Sequence, residues 1–230
     1  MEILVYGAGR MGQIRAEDLI THPAVKRVVI ANRNAERAAE LASRLDIESA
    51  PFDRVDPLAF DSVMITTATA NHADLLRKSM APGRRIFCEK PIALELTDAK
   101  NIVEQAIHLV TKSGVQVAIS GTRHDPRGHD VRLEVFGSRD TVAAGLSSRT
   151  PLLPIDEQAL IAGQPWGGFI ERFRDAFREE TAAYVRWLSV GGDNPCPPSS
   201  AIHASEVALA CETSAREHRV VTIEEVRAHR

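Results

Sequence analysis

Short, continuously apolar runs separated by amphipathic stretches organise the first half of the chain. Glu2–Tyr6, Arg27–Ala31 and Ser62–Thr66 are apolar over consecutive rather than alternate positions. That pattern predicts strands covered on both faces. Helical spacing between them predicts helices over about Arg10–Thr21 and Asn34–Leu45. The second is alanine-rich, with Arg37, Glu40 and Arg44 as its wet face. Asn71 is placed to cap a further helix, with Asp74 three residues on. A strand at Arg85–Cys88 then runs into Glu89-Lys90-Pro91, where proline ends it for want of an N–H. A helix at about Leu96–Lys112 and a strand at Val115–Ile119 complete the half. This β-α-β-α order predicts a parallel, doubly wound sheet over residues 1–118.

The pattern changes after about residue 120. Val131–Val135 alternates strictly, so one face is wet; Gly137–Asp140 is a turn, and Thr141–Leu146 returns as a second strand. Thr150–Pro165 reads as a loop. A long amphipathic helix follows, with Phe169, Phe173, Phe177, Tyr184, Trp187 and Leu188 on one side, a stripe of core type. Asp193–Ser199 is a proline-bearing loop, Ala201–Glu217 a helix and Val220–Ile223 a last strand. The predicted fold class is α/β: an N-terminal doubly wound parallel sheet, plus a reduced C-terminal α+β domain over 119–230 with a mainly antiparallel sheet.

Composition narrows the partners. The 230 residues are 44% hydrophobic and 26% charged, with a formal net charge of −3, as in globular proteins with a sizeable core. No Lys/Arg cluster stands out, so nucleic acid is not an expected partner. No apolar run could span a bilayer, and the N-terminus lacks the basic start of a secretion signal. Cys88, Cys196 and Cys211 are widely spaced and odd in number, which fits a reducing cytoplasm and offers no metal spacing. Cys88 is either a nucleophile or, more simply, a small buried strand residue.

The candidate chemistry begins at Gly7-Ala8-Gly9-Arg10-Met11-Gly12, a G-x-G-x-x-G that follows the first strand and opens the first helix. Gly7 permits the tight turn, Gly9 lets backbone approach a pyrophosphate, and Gly12 lets helix pack on strand; the helix N-terminus offers free N–H groups to phosphate. This is the strand–loop–helix context a Rossmann dinucleotide site requires. The residue meeting the adenosine ribose falls roughly 20 positions further on, at Asn32, followed by Arg33. Asn32 is neutral and Arg33 can pair with a 2′-phosphate, which favours NADP over NAD. Lys90 sits at the carboxyl end of a strand, where open parallel sheets bind ligands. There it can donate to a substrate oxygen and exchange a proton.

Three signatures in this order, Gly7–Gly12, Thr67-Ala68-Thr69-Ala70-Asn71-His72 and Glu89-Lys90-Pro91, resemble the Gfo/Idh/MocA oxidoreductases, which include glucose-fructose oxidoreductase and inositol 2-dehydrogenase. The family's Thr-Pro-Asn-x-x-His pattern carries Ala68 and Thr69 in place of its proline and asparagine. The run Arg123–Gly137 is similar to a sheet segment of the inositol dehydrogenase branch. The resemblance implies that Gly9, Arg10 and Met11 contact the pyrophosphate. It implies that Thr67, Ala68 and His72 line the nicotinamide side, that Glu89 fixes the nicotinamide end, and that Lys90 bonds the reacting hydroxyl or carbonyl. It implies NADP or NAD as cofactor and a polyol, cyclitol or sugar as substrate.

The family's Asp-x-x-x-His helix, which faces the lysine, is not visible. Members are longer by about a hundred residues, a small domain's worth, and one internal deletion near residues 117–121 accounts for the difference. Asp125-Pro126-Arg127-Gly128-His129 has the spacing, but Pro126 and Gly128 make it a turn rather than a helix. Three readings stay open: a dehydrogenase, a dinucleotide-binding pseudoenzyme, and a repurposed non-redox enzyme that uses Lys90 as acid or base. A shortened second sheet would leave edges to cover, which predicts a homo-oligomer built through it.

Overall fold

A computed structural model describes residues 1–90, 104–122, 126–152 and 163–228. In chain order the elements are β1 (Glu2–Tyr6), α1 (Arg10–Ile20), β2 (Arg27–Asn32), α2 (Ala35–Leu45), β3 (Glu48–Pro51), β4 (Ser62–Ile65), α3 (His72–Ser79), β5 (Ile86–Cys88), β6 (Glu104–Val110), β7 (Gln116–Thr122), β8 (Leu133–Phe136), β9 (Thr141–Ala144), α4 (Phe169–Arg172), α5 (Arg174–Val190), α6 (Pro198–Glu217) and α7 (Ile223–Ala228). They form two compact units, Met1–Thr97 with Asp175–Arg230, and Asp98–Arg174.

The first unit holds a five-stranded sheet in the order β3-β2-β1-β4-β5, parallel throughout. Strand order reverses beside β1, which places a crevice at the carboxyl ends of β1 and β4. The consecutive apolar residues fill both faces. Ile3, Val5, Val28, Ile30 and Met64 join Leu19 of α1, Leu41 of α2, and Tyr184 and Val185 of α5 in one core. Leu4, Tyr6, Val29, Val63 and Ile65 join Leu75 of α3 in the other. α5 is held by the Tyr184 hydroxyl, which donates to Val63 O at 3.2 Å and is bonded to Ser62 Oγ. Burial pushes this phenol up from its ordinary value.

The second unit holds two antiparallel hairpins, β6-β7 and β8-β9. The helix predicted over about 96–112 is a strand, β6, where it is described; its earlier residues lie outside the described set. Ile107 and Val110 are β-branched strand formers, and a turn closed by Thr111 N to Val115 O, with Gly114 at φ 84°, folds the segment onto β7. β7 therefore pairs with β6 instead of extending the parallel sheet. The expected domain cut at 118/119 falls inside β7, and residues 175–230 group with the parallel sheet.

Other differences have local causes. β3 lacks an apolar run and is missed because edge strands need none. Asn71 precedes α3 but caps it with no side-chain hydrogen bond. The predicted strand Val220–Ile223 gives way to α7: Thr222 Oγ1 accepts from Glu225 N at 3.1 Å, a Thr-x-x-Glu helix start. The single helix predicted from Phe169 is two, α4 and α5, parted at Phe173. Tyr184 lies in the sheet core, with Trp187 and Leu188 against it, whereas Phe169 and Phe173 lie beside His129. Of the Asp125–His129 run, Asp125 lies outside the described residues; His129 donates its backbone N–H to Trp166 O.

Candidate functional site

The first strand ends at Tyr6, and the chain turns at Gly7, whose φ of 109° favours glycine. Gly7 N donates to Ala31 O at 2.8 Å, tying the loop to β2. A Cβ on Gly7 would meet Thr66 O at 2.8 Å, and one on Gly12 would meet Gly7 O at 1.8 Å. Loop, first helical turn and the end of β4 are thus in backbone contact. Thr66 Oγ1 seals the junction by donating to Tyr6 O at 2.8 Å. Gly9 differs: a Cβ there would meet nothing within 4 Å. It is the N-cap of α1 and makes no side-chain cap bond. Open space above a helix start with no side-chain cap suits a phosphate group. Arg10 is exposed and Met11 half-buried on the first turn.

Asn32 lies at the end of β2, as expected for the ribose position. Its Oδ1 accepts from Ala8 N at 3.1 Å and its Nδ2 donates to Asn34 O at 3.0 Å. It braces the glycine loop as well as flanking it. Arg33 is exposed, its guanidinium 5.6 Å from the Phe52 ring centroid.

At the end of β4, Thr67 is half-buried and Ala68 exposed. His72, by contrast, is buried, and its Nε2 is bonded to Thr67 O at 2.9 Å. It holds the Thr67-Ala68 turn from behind; its ring does not line the crevice as an open group.

At the end of β5, Glu89 N donates to Ile65 O at 2.9 Å, continuing the sheet pairing by one residue. Lys90 follows, exposed, at the same sheet edge as Gly7–Gly12, Asn32 and Thr67. Pro91 lies outside the described residues. Cys88 is half-buried; burial, then the neighbouring Glu89 charge, push its thiol up to about 12. Its side chain packs against the sheet core, which fits the packing role rather than that of a nucleophile.

One residue of this region escapes motif reading. Arg15 of α1 is 1% exposed and holds Glu89: Nε and Nη2 donate to Glu89 Oε1 at 3.0 and 2.8 Å. The signal was its spacing. Arg15 lies four residues from Met11 and from Leu19, on the face α1 turns inward.

A parallel sheet with this strand order, a glycine loop after β1 and the remaining motifs along one carboxyl edge define a dinucleotide-binding Rossmann protein. Comparison makes this specific. Residues 1–119 match the model of the Gfo/Idh/MocA oxidoreductase family, NAD-binding Rossmann fold, so the chain belongs to that family. The scyllo-inositol 2-dehydrogenase (NAD(+)) of Bacillus subtilis is 32% identical over 136 residues, 57% of this chain and 39% of that protein. This chain thus spans well under half of that relative's length. The myo-inositol 2-dehydrogenase of Thermotoga maritima is 22% identical over an alignment that runs nearly end to end in both. That alignment has 336 positions against 230 residues here, so about a third of it is gap. A solved myo-inositol dehydrogenase from Corynebacterium glutamicum shares the fold, with a TM-score of 0.80 at 20% identity over 95% of this chain and 97% of that one.

Among the described residues no group of His, Cys, Asp and Glu could hold a metal, and no helix is long and apolar enough to cross a membrane.

Proposed function

We propose that this protein is an NADP- or NAD-dependent oxidoreductase acting on a CH–OH group of a cyclitol such as an inositol, or of a related polyol or sugar. The observation that carries the reading is the gathering of Gly7–Gly12, Asn32-Arg33, Thr67-Ala68 and Glu89-Lys90 on one carboxyl edge of one parallel sheet. The space over Gly9 fits a pyrophosphate, which the N–H groups of Arg10, Met11 and Gly12 would hold. When bound, the nicotinamide supplies hydride acceptance and donation. The chain's own work is orientation and proton control. Thr67 and Ala68 present backbone and small side chains beside the ring, and His72 fixes their turn. In the oxidative direction the neutral Lys90 amine takes the proton of the reacting hydroxyl as hydride leaves the carbon, and in the reductive direction its ammonium returns that proton to the carbonyl oxygen. The inositol dehydrogenases of B. subtilis and T. maritima among its relatives support a cyclitol substrate.

The assay is spectrophotometric: each cofactor against a panel of inositols and aldoses, read through the reduced nicotinamide. Turnover of at least one cyclitol supports the reading. Dinucleotide binding with no turnover of any panel member would sink it and favour the second reading, a dinucleotide-binding protein without redox activity. That second reading draws on the gap of about a third in the T. maritima alignment, room enough for the Asp-x-x-x-His helix.

NADP is the preferred form. Asn32 carries no charge to repel a 2′-phosphate, and Arg33 stands next to it, exposed. Arg33→Ala should weaken NADP by about 10- to 100-fold, the worth of one charge-assisted bond, and leave NAD nearly unchanged. Titration of both cofactors into both proteins checks this, and equal losses contradict it.

The protein works as a homo-oligomer through its second unit. Leu133, Val135, Phe136 and Val142 of the β8-β9 hairpin are all exposed, and a lone two-stranded hairpin is marginal in water. Light scattering at micromolar concentration should give a mass above that of one chain; a monomer overturns this assignment. Its free cysteines suit a cytoplasmic setting.

A further inference from the structure

Arg15 is the one large charged side chain of the parallel-sheet unit that is fully buried among the described residues. Burying a guanidinium is costly unless every donor is met. Here all five are. Nε and one Nη2 proton go to Glu89 Oε1, and the other Nη2 proton goes to Glu180. Nη1 donates to Phe177 O at 3.1 Å and to Thr181 Oγ1 at 3.0 Å. Thr181 Oγ1 in turn donates to Phe177 O at 3.0 Å. The cation also lies 4.7 Å from the Phe87 ring centroid and 5.4 Å from that of Phe177. Three elements meet at this side chain: α1 just after the glycine loop, the end of β5, and the first half of α5.

We propose that Arg15 is a positioning residue for Lys90. It touches neither substrate nor cofactor. It locks the Glu89 side chain from behind while the Glu89 N–H is locked to Ile65 O, so the backbone that bears Lys90 is fixed at two points. The anchor for this grip is α5, which follows the second unit in the chain; a segment remote in sequence thereby sets where the lysine stands. A buried ion network is a weak source of stability against an apolar core of the same shape, but a strong source of fixed geometry. The planar fork matters, because lysine cannot meet Glu89, Glu180 and two α5 oxygens at once.

The inference rests on the oxidoreductase reading, and two readouts separate them. In Arg15→Lys, hydrogen exchange at the Glu89 amide should quicken by about 10-fold or more, while the amides of Ile3–Tyr6 keep their wild-type rates. In the same protein kcat should fall by about 10- to 100-fold, as for an ångström-scale misplacement, with dinucleotide Kd within about threefold. In a Lys90→Ala background Arg15→Lys should then lower kcat no further. Glu180→Gln, which alters a half-exposed partner, should fold normally and show the same two effects more weakly. Acceleration of all amides together, or an unchanged Glu89 amide with wild-type kcat, overturns the positioning role. If the wild type turns over no substrate, the oxidoreductase reading fails, and the exchange experiment alone still decides what Arg15 does.

Discussion

Gly12→Ala is expected to lower dinucleotide affinity by at least about 100-fold and to cost about 1–3 kcal/mol of stability, as forced overpacking does. The added Cβ would sit 1.8 Å from Gly7 O, and from the Thr66 hydroxyl only 2.9 Å. Neither neighbour can yield cheaply. Gly7 O is backbone in a loop tied to β2, and Thr66 Oγ1 is bonded to Tyr6 O. Relief requires α1 to draw back from the loop, which moves the very N–H groups proposed to hold the pyrophosphate. For a chain of this size the stability loss lowers Tm by about 2–4 °C per kcal/mol. Gly9→Ala is the informative partner. Its Cβ meets nothing in the protein, so Tm should stay within about 2 °C of wild type. The same methyl group enters the space assigned to phosphate, so affinity should still fall by about 10-fold or more. Calorimetric titration with melting curves checks both, and full affinity in Gly9→Ala would contradict the assignment of that space.

Lys90→Ala is expected to reduce turnover by about 10²- to 10⁴-fold, the usual worth of a positioned proton-transfer group. Dinucleotide affinity should stay within about threefold, because the residues assigned to the pyrophosphate lie in the glycine loop. Lys90 is exposed, so its removal leaves no cavity and no buried partner unpaired, and the melting temperature should not move. Lys90→Arg keeps the charge and a donor but holds its proton throughout the working pH range. It should not restore the rate. Steady-state kinetics with direct cofactor titration separates these outcomes. A variant that loses cofactor binding along with turnover would recast Lys90 as a dinucleotide ligand.

The glycine loop was legible before the structure because it obeys backbone rules. Gly7 and Gly12 need glycine for a tight turn and a close approach of helix to loop, and Gly9 leaves open the space above the helix start. The parallel sheet was legible for the same kind of reason: continuous apolar runs report burial on two faces, and Ile3/Val5 against Leu4/Tyr6 divide between the two cores accordingly. What was not legible depends on partners distant in sequence. Spacing puts Arg15 on the inward face of α1, but what it holds is decided by Glu89 and α5, 74 and more than 160 residues away. His72 reads as a group lining the cleft, yet it is spent on the carbonyl of Thr67. β6 was misread because a short apolar segment fits helix or strand alike, and only its antiparallel pairing with β7 decides. At α7 the capping signal Thr222–Glu225 was present in the sequence and outweighs the β-branched residues Val220, Val221 and Ile223.

The central claim is that Lys90 stands beside the reacting carbon at a dinucleotide site on the carboxyl edge of the parallel sheet. The most direct measurement is a crystal structure with NADP and an inositol bound. The account predicts the pyrophosphate over Gly9, the nicotinamide between the Thr67-Ala68 turn and Glu89-Lys90, and Lys90 Nζ within hydrogen-bonding distance of the hydroxyl on the carbon facing the ring. A dinucleotide bound away from the glycine loop, or a substrate hydroxyl out of reach of Lys90, would contradict it.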